Sequence, residues 1–139
     1  MVEQIKYRGG YKYQLYEDYQ VLTDIRSNVD VESPGGFVEL LGNGNLFIKK
    51  GYAWDGPSGP AFDTKNFMRG SLCHDACYQL LREGLLEPEK RILADKLMRR
   101  VCREDGMSWI RAWWCYQGVR LGAKRSSTTQ GMRRVITAP

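Results

Sequence analysis

The single histidine of the chain, His74, has the one side chain whose ordinary pKa makes it a general base near neutral pH. A carboxylate, Asp75, follows it directly, and Tyr78 follows four residues later. Another carboxylate, Asp95, lies on the apolar stripe of the next predicted helix. An imidazole hydrogen-bonded to a carboxylate can take a proton from water in a fixed orientation. These residues predict ester hydrolysis by activated water, and a simple buried polar pair is the alternative.

The segment before this histidine, residues 51–60, contains three glycines and two prolines. Such a loop follows an unusual backbone path and can turn successive carbonyls toward one point. Calcium prefers carboxylate and carbonyl oxygens, which Asp75, Asp55 and the carbonyls of residues 54–59 supply. A bound cation would polarise an ester carbonyl and offset the charge of the developing oxyanion. The alternative is a rigid connector between a strand and a helix.

Local signals predict a helix around His74. Asp63 or Thr64 can cap its start, and Gly84 can end it. His74 and Tyr78 are four residues apart, so we expect both to share one face that is directed to the interior. The predicted face consists of Phe67, Ser71, His74, Tyr78 and Leu81.

A second helix is predicted from Pro88, a favoured first position, to about Glu104. One stripe of it consists of Ile92, Asp95, Met98 and Cys102. An aspartate in an apolar stripe costs free energy unless it has a partner. The short link between the two helices makes them antiparallel neighbours. We therefore expect Asp95 to contact His74 or Tyr78.

A third helix is predicted over residues 108–121 and is unusually aromatic. Its large side chains are Trp109, Ile110, Trp113, Trp114 and Tyr116. We expect a core helix with one broad apolar face. The alternative is that one or two tryptophans reach the surface and contact a lipid interface or a partner.

The first fifty residues predict antiparallel hairpins. Residues 11–16 are expected to pair with 19–23, and residues 37–41 with 45–49 across an Asn-Gly turn. Residues 28–36 are expected to form a loop. The fold class is therefore α+β. We expect one globular domain over residues 1–122, with a β-rich part (1–50), the loop (51–62) and a helical part (63–122), followed by a basic flexible tail (123–139).

Bulk properties exclude several classes of protein. The 139 residues carry a net charge of +5, which favours anionic partners without choosing among them. No predicted helix is apolar enough to span a membrane, and the first residues do not resemble a signal peptide. The four cysteines form no zinc pattern, and we expect reduced thiols that are partly buried. A nucleic-acid role is disfavoured because no DNA-binding motif is visible.

The string His-Asp-Ala-Cys-Tyr at residues 74–78 resembles the helix of secreted phospholipases A₂. The chain is more similar to the phospholipase domain of parvovirus minor capsid proteins. That domain has a glycine- and proline-containing calcium loop, an aspartate, His-Asp-x-x-Tyr, and Ala-Asp-x-x-Phe on the next helix. The counterparts here are residues 56–60, Asp63, residues 74–78 and residues 94–98, in the same order and with similar spacing.

This resemblance implies a role for each matching residue. His74 would activate water, and Asp95 would orient the imidazole of His74. Tyr78 would hydrogen-bond the Asp95 carboxylate. Asp75 would bind calcium. The resemblance places the remaining ligands at main-chain carbonyls near Trp54, Gly56 and Ser58. It also implies a phospholipase-like core of two antiparallel helices, although Ala94 stands where the secreted enzymes have a cysteine.

Nearly the whole chain also resembles an uncharacterised family of short proteins from bacteriophages and bacteria. The shared patterns are Gly-Tyr-Ala-Trp-Asp-Gly-Pro-Ser-Gly-Pro at residues 51–60 and Gln-Gly-Val-Arg-Leu-Gly at residues 117–122. This implies a phage origin and a location in the host cytoplasm or the virion. Two functions are then expected. One is a calcium-dependent lipid ester hydrolase that acts on a phospholipid membrane. The other is a non-catalytic virion component, or a protein that binds a host protein, with the same fold.

Overall fold

Short antiparallel strands occupy the N-terminal part of the chain and three helices the C-terminal part in a computed structural model, which describes residues 7–8, 13–54 and 65–122. The expected α+β class is confirmed. Within the described residues, no helix has the length and the apolar character that crossing a membrane requires. The predicted helix caps Asp63 and Thr64 and the tail from residue 123 lie outside the described residues.

The strands form two antiparallel sheets. In chain order they are β1 (Tyr7–Arg8), β2 (Tyr13–Leu15), β3 (Tyr19–Leu22), β4 (Val31–Glu32), β5 (Val38–Leu40), β6 (Asn45–Ile48) and β7 (Ala53–Trp54). One sheet has the order β1-β2-β7, and the other has the order β3-β6-β5-β4. Side chains alternate between the interior and the surface in β3, β5 and β6, as strands with one buried face require.

The predicted pairing of β2 with β3 is wrong. Tyr13 in β2 lies opposite Trp54, whereas Tyr19 in β3 lies opposite Ile48. The cause is a turn after β6 at Gly51, whose φ of 97° suits glycine. The turn divides residues 45–54 into two halves, β6 and β7, which pair with β3 and β2 respectively. Each strand of the expected hairpin therefore belongs to a different sheet.

The predicted hairpin of β5 and β6 is confirmed, and Leu40 lies opposite Leu46. Two loop assignments need correction. The expected loop 28–36 contains β4, in which Val31 lies opposite Leu40. The expected loop 51–60 starts with a regular element, because β7 pairs with β2.

The three helices are α1 (Lys65–Arg82), α2 (Arg91–Glu104) and α3 (Trp109–Gly122). A short 3₁₀ turn at Pro88–Lys90 precedes α2, so proline begins this region as expected. Gly84 follows α1 with a φ of 74°, and the Leu85 amide donates to the Leu80 carbonyl at 2.9 Å. This is the glycine-dependent helix end that the sequence predicted.

Helix α1 is the centre of the molecule, since thirteen of its 18 residues are buried. Its predicted interior face is buried throughout, but so are most other positions. Helix α2 packs closely against it at Gly70, where an added Cβ would lie 2.5 Å from Sγ of Cys102. The stripe predicted on α2 is buried at Asp95, Met98 and Cys102, whereas Ile92 is 37% exposed and does not belong to the core.

Helix α3 is not the core helix that we expected. Only Ala112 and Cys115 are buried in it, whereas Trp109 is 66% exposed and Trp114 is 64% exposed. The small side chains of Ala112 and Cys115 join a minor core with α2, and this contact uses one narrow side of α3. The alternative placed one or two tryptophans at the surface, and the structure exposes three: Trp109, Trp113 and Trp114.

Candidate functional site

The antiparallel packing of α1 and α2 brings His74 and Asp95 together. Nε2 of His74 lies 2.8 Å from Oδ1 of Asp95, and the hydroxyl of Tyr78 donates to the same oxygen at 2.6 Å. Asp95 is fully buried and His74 is 7% exposed. The ring of His74 also stacks on Tyr78 with 4.0 Å between the centroids. From the sequence we expected Asp95 to contact either His74 or Tyr78, and it contacts both.

The contact with Asp95 fixes which nitrogen of His74 holds the proton. A carboxylate can only accept, so Nε2 carries the hydrogen in the neutral ring and Nδ1 carries the lone pair. Nδ1 lies 4.0 Å from Oδ1 of Asp75, whose side chain is 37% exposed. The basic nitrogen is therefore on the side of Asp75. This arrangement lets His74 accept a proton while Asp95 stabilises the resulting cation.

Two arginines complete the surroundings of Asp95, and neither was among the predicted site residues. Nη1 of Arg120, on α3, donates to Oδ2 of Asp95 at 2.9 Å. Nη1 of Arg91, one turn before Asp95 on α2, lies 3.8 Å from the same oxygen. The sequence did contain a signal, since a buried carboxylate with two oxygens has room for donors beyond His74 and Tyr78.

The partners of Asp95 decide its charge. Burial by itself raises the pKa of this carboxyl, but hydrogen bonds from His74, Tyr78 and Arg120 outweigh burial and hold the pKa below its ordinary value. Burial and the bond to Asp95 both raise the pKa of Tyr78, so its hydroxyl stays protonated and donates. Asp95 is therefore an ionised acceptor for three donors.

The lowered pKa of Asp95 predicts a pH dependence of stability. Between the lowered folded pKa and the ordinary value of about 3.9, the unfolded chain binds the proton and the folded chain does not. The free energy of unfolding thus contains a contribution that is complete above pH 4 or so and declines as the pH falls through that window. We expect the difference in urea stability between the wild type and Asp95→Asn to shrink there. A difference that stays constant down to the folded pKa would contradict the ionised state of Asp95.

The start of the glycine- and proline-rich loop is anchored beside His74. Nε1 of Trp54, the last residue of β7, donates to Oγ of Ser71 on α1 at 3.0 Å. Ser71 precedes His74 by three residues, so the two lie on one side of the helix. Trp54 is buried, which leaves its main-chain carbonyl as the atom of the type that calcium binds.

The calcium ligands are only partly within the described residues. Asp75 has a partly exposed carboxylate beside the basic nitrogen of His74, which suits a hard cation. Asp55, Gly56 and Ser58 lie outside the described residues. Within the described ranges, no group of three or more His, Cys, Asp or Glu side chains is arranged to hold a metal.

The cysteines do not form an alternative reactive centre. Cys73, Cys77, Cys102 and Cys115 are buried free thiols. Sγ of Cys73 lies 3.9 Å from the hydroxyl of Tyr19, away from His74, and burial raises its pKa to about 12. A thiol that is protonated near neutral pH is a poor nucleophile.

A second polar cluster missed by the sequence analysis surrounds Arg69 on α1. Its guanidinium donates to both oxygens of Asp105 at 2.9–3.1 Å, to Glu104 at 2.9 Å and to the hydroxyl of Tyr19 at 2.8 Å. Arg69 is buried. This cluster ties α1 to the end of α2 and to β3, and its one positive charge is shared between the two acidic residues that precede α3.

Comparisons of the chain with protein-family models, with curated proteins and with solved structures each find no match. The resemblance to phospholipases stays a prediction from the motifs, and the geometry of His74, Asp95, Tyr78 and Asp75 is what bears on function.

Proposed function

We propose that this protein is a calcium-dependent lipid ester hydrolase of the phospholipase A₂ type, of phage origin. One observation carries the proposal: Nε2 of His74 is held by the buried carboxylate of Asp95 at 2.8 Å, while Nδ1 is directed toward the side of Asp75.

The proposed reaction uses water as the nucleophile. Nδ1 of His74 takes a proton from water, while the oxygen of that water bonds to the ester carbonyl carbon. The ester C–O bond then breaks, and the imidazolium gives the proton to the leaving alkoxide. The products are a fatty acid and an alcohol, and His74 is neutral again. Asp95 stabilises the transient imidazolium, and Tyr78 and Arg120 hold Asp95 in place.

Calcium supplies, when bound, a positive charge that polarises the ester carbonyl. The residues that would hold it are Asp75 through its carboxylate and the loop through carbonyls near Trp54, Gly56 and Ser58, with Asp55 as a further oxygen ligand. Asp75 meets this requirement in type and position, because its carboxylate is partly exposed next to the general base.

The test is the release of free fatty acid from vesicles of phosphatidylglycerol and phosphatidylcholine, with calcium and with EGTA. We expect the wild type to release fatty acid when calcium is present and not when EGTA is present. Asp75→Asn removes one anionic ligand and should raise the calcium concentration for half-maximal activity by at least about tenfold.

The matched control is Asp24→Asn, which changes an exposed aspartate of the sheet region. It should leave the calcium dependence unchanged. Release that continues undiminished in EGTA would reject the calcium-dependent mechanism. A folded wild type that releases no fatty acid and binds no calcium by calorimetry would reject the proposal and favour a non-catalytic virion or host-binding protein.

A further inference from the structure

We propose that the exposed side of α3 docks on an anionic lipid bilayer, with the helix lying in the plane of the interface. The surface, here the α3 aromatic face, consists of Trp109, Ile110, Trp113, Trp114 and Leu121. This inference extends the proposed function and rests on it for the substrate, but the surface can be tested without catalysis.

The α3 aromatic face lies on one side of the helix. Trp109 and Trp113 are four residues apart, as are Ile110 and Trp114, so these four side chains are neighbours. Leu121 lies on the same side, seven residues after Trp114. Each is at least 44% exposed, and the rings of Trp113 and Trp114 meet edge to face at 5.4 Å. Five large apolar side chains in one exposed patch are more than a monomeric protein usually shows, which indicates a contact surface.

The chemistry of these side chains fits a lipid interface. The indole ring combines an apolar body with one N–H donor, and tryptophan is enriched where hydrocarbon meets water. Helix α3 has 14 residues and is about 21 Å long, too short to cross a hydrocarbon core of about 30 Å. The exposed apolar side chains of α3 can therefore contact a bilayer only if the helix lies along its surface.

The charge around the α3 aromatic face is complementary to anionic lipid. Helix α3 contains no acidic residue and two basic ones, Arg111 and Arg120, of which Arg120 is already paired with Asp95. The guanidinium of Arg99 on α2 lies 4.4 Å from the ring centroid of Tyr116, so a third cation borders the helix. The two acidic residues before α3, Glu104 and Asp105, form ion pairs with Arg69. The sequence after α3 adds basic residues and no acidic one: Lys124, Arg125, Arg133 and Arg134.

The positive charge near the α3 aromatic face also favours anionic lipid over a second copy of the chain as its binding partner. Two α3 faces in contact would bring cations of the same sign together, which disfavours association. Anionic headgroups would instead pair with these cations, each worth a measurable gain in binding. Because Arg120 on the same helix bonds Asp95, docking would also set the orientation of the His74 site to the bilayer.

The experiment is co-sedimentation of the full chain with vesicles of equimolar phosphatidylglycerol and phosphatidylcholine, and with vesicles of phosphatidylcholine alone. We expect stronger binding to the anionic vesicles, weakened by salt. The variant Trp109→Ser/Trp114→Ser should lower the partition coefficient by at least about tenfold, because binding scales with buried apolar area. Leu22→Ser changes an apolar side chain on β3 that is 49% exposed, outside the α3 aromatic face; it is the control and should bind like the wild type.

Three results would overturn the inference. One is unchanged binding of the tryptophan variant with a native circular dichroism spectrum. Another is equal binding to both kinds of vesicle at all salt concentrations. A third is a wild-type dimer by light scattering that the tryptophan variant abolishes, with no binding to vesicles, which would assign the surface to a second copy.

The failures of docking and of hydrolysis are distinguishable. Hydrolysis of a dispersed short-chain phospholipid without binding to vesicles would reject docking and retain the proposed function. Tryptophan-dependent binding to vesicles without release of fatty acid would retain docking and reject the proposed function.

Discussion

Replacement of Asp95 by alanine is expected to lower the free energy of unfolding by about 3–5 kcal/mol, the cost of removing one partner from a buried ionic cluster. Asp95 is fully buried and accepts from His74, Tyr78 and Arg120. Its loss leaves three donors without their acceptor and opens a void between α1 and α3. Urea unfolding at neutral pH, followed by circular dichroism, measures the effect.

Two further variants separate charge from packing at this position. Asp95→Asn keeps the size of the side chain but loses the charge and one acceptor oxygen, so its loss of stability should be smaller than that of alanine. Asp24→Ala removes an exposed carboxylate and should change stability by less than about 0.5 kcal/mol. If Asp95→Ala were no worse than Asp24→Ala, the buried cluster would not stabilise the fold.

Replacement of His74 by alanine is expected to reduce calcium-dependent fatty acid release by about 10²–10⁴-fold, the usual contribution of a general base. The fold should remain, because Tyr78 and Arg120 still donate to Asp95. The measurement is the rate of release from anionic vesicles in calcium, together with a thermal unfolding curve for each variant.

His74→Gln distinguishes proton transfer from simple hydrogen bonding, since the amide can donate to Asp95 but does not titrate near neutral pH. It should be as inactive as His74→Ala. Lys96→Ala, an exposed position next to Asp95 in the chain, serves as the control and should retain activity. Activity that survives in His74→Gln would remove His74 from the proposed mechanism.

The sequence by itself predicted the packing of α1 against α2 and a contact of Asp95 with His74 or Tyr78. Asp95 lies on an apolar helix face, and an unpaired polar group there is costly, so it requires a partner across a short antiparallel connection. The end of α1 at Gly84 and the hairpin of β5 and β6 were also predictable, because glycine and Asn-Gly act locally on the backbone. These features depend on local backbone signals, or on two helices joined by a short link.

Only the tertiary structure decided the features that join distant segments. Strand-favouring residues predicted strands at 11–16 and 19–23, but the turn at Gly51 sent their partners to different sheets. Arg120 reaches Asp95 from 25 residues away, which no local spacing reveals. The exposure of the tryptophans of α3 depends on the narrow contact through Ala112 and Cys115. A hydrophobic helix is buried only if another element covers it, and which element does so is a property of the whole fold.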